Sequence, residues 1–238
     1  MQNPIKIILV RPRNPDNIGA AARAMANFGL AELALVAPFE SDWKEAAEAW
    51  RLEASVSAID AMDVINSAKI FDTIPEAAAD CSLLLGTSSL HRAIPGRDVI
   101  LLSETPAYIS GGAGKTGILF GPEKTGLTKE HLSFCSATIN IPTREKQPSM
   151  NLGQSVAVIA YELAARASAH KPSAQREARA PKPMEIERLV ERICARLRRS
   201  HGPHWEGEAQ ARSIRQGLLD ARLTRAAMTA LILLLDEK

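Results

Sequence analysis

Three short polar stretches of this 238-residue chain carry side chains suited to chemistry, and each follows an apolar run. Asn17 and Arg23 come after Ile5–Val10; Gly121, Glu123 and Gly126 come after Gly117–Phe120; Ser149 and Asn151 end a proline-bearing turn after Ala137–Ile141. A helix that begins at Ser149–Asn151 leaves free N–H groups in that turn, a setting that favours an anionic or carbonyl ligand. Val156, Ile159, Ala160 and Leu163 recur at helical spacing, so the helix buries one face and keeps its first turn in the loop. Each residue also has a plainer use. Ser149 and Asn151 are good N-caps, Arg23 suits a solvated helix face, and Glu123 suits the positive end of a helix dipole.

Such residues need a scaffold that brings three loops to one edge. Ile5–Val10 predicts a fully buried strand of a parallel sheet, and RPRNPDN a loop. GAAARAMANFG, after Ile18, predicts an alanine-rich helix capped by Asn17 and stopped by Gly29, and Leu33–Val36 predicts a second strand. An acidic helical stretch over 42–62 follows, then a short strand at Ala68–Phe71, a helix at Pro75–Ala79 and a strand at Ser82–Gly86. GTSSLHRAIPGR is a loop with two arginines. Strands at Gly117–Phe120 and Ala137–Ile141 complete the series, with a glycine-bearing loop and a short helix between them. Alternating strands and helices predict an α/β domain, a parallel sheet flanked by helices, with its site at the strand C-terminal ends.

After Arg166 the composition turns to small polar residues with three prolines, which predicts a linker over 168–183 between a domain at 1–167 and a helical extension at 184–238. In the extension Ile186, Leu189, Val190, Ile193 and Leu197 form one helical stripe, while Arg188, Arg192, Arg196 and Arg199 occupy another face. Two more helices are predicted near 209–221 and 224–235. Residues 171–238 hold 14 Lys and Arg against 9 Asp and Glu, so the tail is the basic part of a chain whose net charge is only +2. An arginine-rich face suits phosphate contact.

The three cysteines are far apart and odd in number, which points to packing in a reducing cytoplasm, without disulfide or metal. His201 and His204 flank a Gly-Pro turn with no nearby carboxylate, so no metal pair is assigned to them. Neither terminus reads as a leader or a membrane span. GGAGKT at 111–116 lacks the first glycine of a phosphate-binding P-loop and runs straight into a strand, and no G-x-G-x-x-G follows the first strand.

NIGAAARAMANFG, ILFGPEKTGLT and IPTREKQPSMNLGQSVAVIAYE resemble the three motifs of the SpoU/TrmH family of RNA ribose 2′-O-methyltransferases, within the SPOUT superfamily. The tail, with LLDARLTRAAMTALILLL after a basic helix, is similar to the C-terminal extension of the TrmJ-like branch, which acts on ribose 32 of the tRNA anticodon loop. The resemblance implies a C-terminal trefoil knot, a homodimer and S-adenosylmethionine as cofactor. It implies that Thr87, Ser88, Ser89, Gly121, Ile141, Pro148, Ser149 and Met150 surround the methyl donor. It further implies functional positions at Asn17, Arg23, Glu123, Ser149 and Asn151, with Arg23 on the RNA phosphate and Asn17 and Glu123 orienting Arg23 and the motif loops. In the family's T-S-A-R-x-R pattern Ser89 and Leu90 replace alanine and the first arginine, which leaves Arg92. The expected activity is methylation of tRNA, with RNA held by Arg23, Arg92 and the arginines of the tail. Ribosomal RNA as the target, or an RNA-binding module without catalysis, are the alternatives.

Overall fold

The computed structural model describes residues 4–38, 43–90, 96–111, 114–166, 181–202, 207–221 and 223–236. Arg92, His204, most of the expected linker and the centre of GGAGKT lie outside the described residues. The first half contains β1 (Ile5–Val10), α1 (Pro15–Asn27), β2 (Glu32–Val36), α2 (Trp43–Ala58), α3 (Met62–Ser67), β3 (Lys69–Phe71), α4 (Ile74–Ala77) and β4 (Cys81–Thr87). Then come β5 (Val99–Leu101), α5 (Thr105–Ser110), β6 (Lys115–Phe120), α6 (Lys129–Ser133), β7 (Ala137–Asn140) and α7 (Leu152–Ala160), which continues into a π-helical turn at Tyr161–Arg166. Helices α8 (Pro183–His201), α9 (Glu208–Asp220) and α10 (Arg225–Asp236) follow.

The seven strands form one sheet in the order β3-β2-β1-β6-β4-β7-β5, and every neighbouring pair is parallel. Parallel strands covered on both faces must be apolar throughout, which is why IKIILV and KTGILF have no alternating pattern. On one face α1, α2, α3 and α7 bury Ile7, Leu9, Ile118 and Phe120 together with Ile18, Met25, Trp50 and Ile159. Each such side chain removed from water contributes about 1.5–3 kcal/mol. The opposite face is thinner. It has the short helices α4 and α6 over Ile8, Val10, Leu84 and Leu119, and α8 and α9 pack beside them.

Several sequence expectations shift for physical reasons. The cap of α1 is Asn14, not Asn17: Pro15 takes the first helical position, where its missing N–H costs nothing, and the Asn14 side chain accepts the Asp16 N–H at 2.9 Å. The stretch over 42–62 breaks near Asp60, at φ +61°, and gives two helices. β5 and α5 are additions to the sequence reading; three residues of edge strand are too few to show a period. Close packing of α1 on α2 depends on Gly19, where a Cβ would sit 2.1 Å from the Ala54 carbonyl oxygen.

At the N-terminal edge of the sheet the starts of β1, β2, β4 and β6 are tied by charge. Lys6 Nζ donates to the Ala77 carbonyl at 3.2 Å and pairs with Asp80, while Lys115 pairs with Asp80 at 2.7 Å and with Glu32. Partial burial would raise the Asp80 pKa, but hydrogen bonds from Lys115 and Lys6 outweigh it and hold the carboxyl at about 2. Its folded-state value therefore lies below the ordinary 3.8, so its stabilising contribution is complete above that value and is lost as pH falls toward 2. Because the side chain is half exposed, the contribution is discounted to about 1 kcal/mol. Asp80→Asn should lower the unfolding free energy by that amount at pH 7, and denaturant melts at pH 2 should show the two proteins converging.

Candidate active site

The C-terminal ends of β4, β6 and β7 open into a cleft, and three loops form its walls. The first wall is the turn after β4. Thr87 Oγ1 donates to the Leu119 carbonyl at 2.9 Å, the Ser88 N–H to Ile139 O at 3.1 Å, and Asn140 Nδ2 to Ser88 O at 3.1 Å. These bonds stitch the turn to both neighbouring strands. Leu90, at φ +64°, closes it by donating its N–H to Ser88 Oγ.

The second wall is the loop after β6, which doubles back on itself. A Cβ on Gly121 would lie 2.2 Å from the Gly126 carbonyl carbon, so only glycine permits this approach, and Gly126 itself sits at φ +67°. The Gly126 N–H closes the loop onto Pro122 O at 2.8 Å. This wall therefore offers main-chain N–H and C=O groups to a ligand. Helix α6 leaves directly from it, capped by Thr128. His131 Nδ1 accepts the Thr128 N–H, in keeping with burial and nearby Arg11 holding the imidazole pKa below its ordinary value.

The third wall is the turn over 141–151. Thr143 Oγ1 donates to Pro148 O at 2.9 Å and fixes its width. Asn151 caps α7, its Oδ1 accepting from the Gly153 and Gln154 N–H groups at 2.8 and 3.4 Å.

One polar chain joins the second and third walls to α1. Glu123 accepts from the Arg13 and Asn14 main-chain N–H groups and, at 2.9 Å, from Asn17 Nδ2. Asn17 Oδ1 in turn accepts from Asn151 Nδ2 at 3.0 Å. With Asn14 doing the capping, the Asn17 amide is free for this bridge. Glu123 is not at the start of α6; it meets the N-terminal end of α1 instead, where negative charge is favoured.

The structure places Thr87, Ser88, Ser89, Gly121, Glu123, Ile141, Pro148, Ser149 and Met150 on the cleft wall, with Asn17 and Asn151 behind it. Arg23 is not among them. It is exposed on α1, about 9 Å along the helix axis from Asn17, and among the described residues it forms no hydrogen bond or ion pair. Asn17 and Glu123 pair with each other and tie the motif loops together through Asn14 and Asn151, and neither is bonded to Arg23. Arg188, Arg192, Arg196 and Arg199 are exposed on α8 and do not line the cleft. Wall residues beyond the sequence reading are Phe120, Pro122, Thr125, Leu127, Ile139, Thr143, Leu152 and Ser155. The strand-to-turn position of Phe120 and Ile139 was the signal for two of them. Among the described residues no group of three His, Cys, Asp or Glu is placed to hold a metal, and no helix is long and apolar enough to cross a membrane.

Fold and cleft together define a parallel α/β protein whose site is built from three loops late in the sheet. The model of the SpoU rRNA Methylase family matches residues 4–161, and the chain belongs to that family. A tRNA (cytidine/uridine/adenosine-2′-O-)-methyltransferase TrmJ of Pseudomonas aeruginosa is 36% identical over 165 residues, which span 68% of this chain and 61% of that protein. A TrmJ of Klebsiella pneumoniae, named a tRNA (cytidine/uridine-2′-O-)-methyltransferase, is 36% identical over 81% of this chain and 78% of its own length. The crystal structure of TrmJ from Z. mobilis ZM4 superposes with a TM-score of 0.82 at 30% identity, covering 97% of this chain and 96% of that one.

Asn17→Ala should cost about 1 kcal/mol in unfolding free energy by leaving Glu123 and Asn151 short of a partner. Asn151→Ala should cost a similar amount through the lost α7 cap. The double variant should cost less than their sum by at least about 0.5 kcal/mol in a double-mutant cycle, since both remove the same bond.

Proposed function

We propose that the chain is an S-adenosylmethionine-dependent tRNA ribose 2′-O-methyltransferase that acts on a pyrimidine nucleotide of the anticodon loop, at position 32. The observation that carries this reading is the Glu123–Asn17–Asn151 chain, which ties α1 to the cleft walls after β6 and β7. Relatives named as tRNA cytidine/uridine 2′-O-methyltransferases support the substrate, as does the match to a TrmJ structure along nearly the whole chain.

The cleft fits the cofactor by its chemistry. Gly121 to Leu127 and Pro148 to Met150 present main-chain donors and acceptors suited to the edge of a base, and Leu127, Ile139 and Ile141 supply apolar surface for its faces. Thr87, Ser88 and Ser89 would hold the remainder. When bound there, S-adenosylmethionine supplies a methyl group on a sulfonium, an electrophile that needs no metal. The protein must then hold a ribose 2′-hydroxyl in line and ease loss of its proton. Ser149 and Asn151 shape that pocket at the N-terminal end of α7. A guanidinium stays protonated, so Arg23 is assigned to an RNA phosphate and to developing alkoxide charge, not to accepting the proton, which passes to water or another acceptor. The exposed position of Arg23 suits a group that meets RNA only on docking.

The homodimer, cytoplasmic location and trefoil knot belong to the same reading. What supports the knot is strand order: β7 lies between β4 and β5, both of which precede it in the chain. The helical extension at 184–238 adds RNA affinity through Arg188, Arg192, Arg196 and Arg199.

Labelled methyl should pass from S-adenosylmethionine to unmodified tRNA and leave an alkali-resistant linkage in the anticodon loop. Label on ribosomal RNA instead would keep the chemistry and change the substrate, and label on neither would favour an RNA-binding module. Arg23→Ala should lower turnover by at least about 100-fold while donor affinity in calorimetry stays within twofold. Replacing the four α8 arginines by glutamine should weaken tRNA binding and flatten its salt dependence, as filter binding across a salt series would read.

A further inference from the structure

Helix α9 holds two buried arginine contacts whose positions relative to the cleft suggest more than packing. Arg215, on α9, is 4% exposed. Its Nε and Nη2 grip both oxygens of Glu187 on α8 at 2.8 and 3.0 Å, and its Nη1 reaches Glu130 at 3.0 Å and Ser133 Oγ at 2.6 Å, both on α6. The plane lies 3.9 Å over the Phe134 ring. Arg97 also contacts α9. Its guanidinium donates to the Gln216 carbonyl at 3.1 Å and pairs with Asp220, one turn further along α9. Gly96 rests on Gln216, where a Cβ would meet the side chain at 3.0 Å.

The gripped segments are the roots of two cleft walls. Helix α6 continues directly from the loop that begins at Gly121, and its Leu132 shares a core cluster with Leu127 of the cleft lining. Gly86, at the end of β4, would clash with Leu132 if it carried a Cβ. Arg97 precedes Asp98, whose carbonyl accepts the Thr138 N–H of β7, and the carbonyl of the next residue, Ile139, accepts the Ser88 N–H of the first wall. A salt bridge on the surface could dock a domain loosely, but the buried Arg215 guanidinium, bidentate on Glu187, is directional and tolerates little displacement, while Arg97 reaches α9 through Nη1 alone.

We infer that α9 is a brace for the methyl-donor cleft: Arg215 and Arg97 are positioning residues that set the separation of the walls at Gly121–Leu127 and Thr87–Ser89. The inference rests on the reading of that cleft as the donor site. The extension then serves two separable tasks, with α9 tuning the donor and the arginine face of α8 meeting RNA.

The test uses the full chain with Arg215→Met and, separately, Asp220→Ala, which removes a mostly exposed carboxylate and leaves Arg97 without its charge partner. S-adenosylmethionine affinity is measured by calorimetry, tRNA affinity by filter binding, and KM for the donor apart from kcat. The brace requires donor Kd and KM to rise about tenfold, within the range over which remote packed residues modulate binding, with tRNA affinity and kcat at saturating donor within about twofold. A merely structural role would lower the folded fraction and hence kcat, and leave donor Kd unchanged. Donor affinity unchanged in the folded variants overturns the brace, and if Arg215→Met does not fold, Asp220→Ala decides alone. Failure of the unsubstituted chain to bind donor overturns the reading of the cleft, and the brace with it.

Discussion

The carboxamide of Asn17 is the group on which the site depends. It donates to Glu123 and accepts from Asn151, so it touches α1, the loop after β6 and the cap of α7 at once. An amide has a fixed donor side and a fixed acceptor side, and here both are used, which leaves a single way to seat the three segments. A carboxylate in its place would repel Glu123, and an apolar residue would strand polar groups on either side. Glu123 adds two main-chain partners at the start of α1, so the loop after β6 is anchored to the same helix end that presents Asn17.

The sheet carries this arrangement because its two faces are covered so unequally. One face has long helices and the larger core. The other has α4 and α6, of four and five residues, which bury little by themselves. Helices α8 and α9 complete that cover, and they do so with charge held out of water as well as with apolar surface. Arg97 and Arg215 are each within 7% of full burial, and both face groups on the opposite part of the chain. A basic tail that looked suited to solvent or to RNA thus spends one of its arginines on internal cohesion.

Much of this was legible in the sequence. Apolar runs at Ile5–Val10 and Gly117–Phe120 mark central strands, and Val156, Ile159, Ala160 and Leu163 mark the buried face of α7, all four at 3% exposure or less. The three motif loops were visible as polar stretches after those strands. What was hidden depends on spatial partners. Asn17 and Asn14 are equally good caps by type, and only Pro15 decides between them. Nothing local distinguishes Arg97 and Arg215 from their solvated neighbours, because burial of a guanidinium is decided by Glu187, Glu130 and Asp220, which lie far along the chain. The three residues of β5 are recognisable as a strand only beside β7.

Strand order also governs how the molecule comes into being. Ile5 of β1 finds its partner at Thr116 of β6, and Leu85 of β4 at Ala137 of β7, so the centre of the sheet is assembled from segments far apart in the chain. Non-local parallel pairing of this kind folds slowly, because long loops must close before any contact rewards them. During synthesis at about 5–20 residues per second, β1 and β2 emerge as a two-stranded apolar fragment with an unpaired edge, and they wait several seconds for β6. Residues 5–36 are therefore the part of the nascent chain most exposed to wrong partners, and β5 has no strand beside it until β7 arrives.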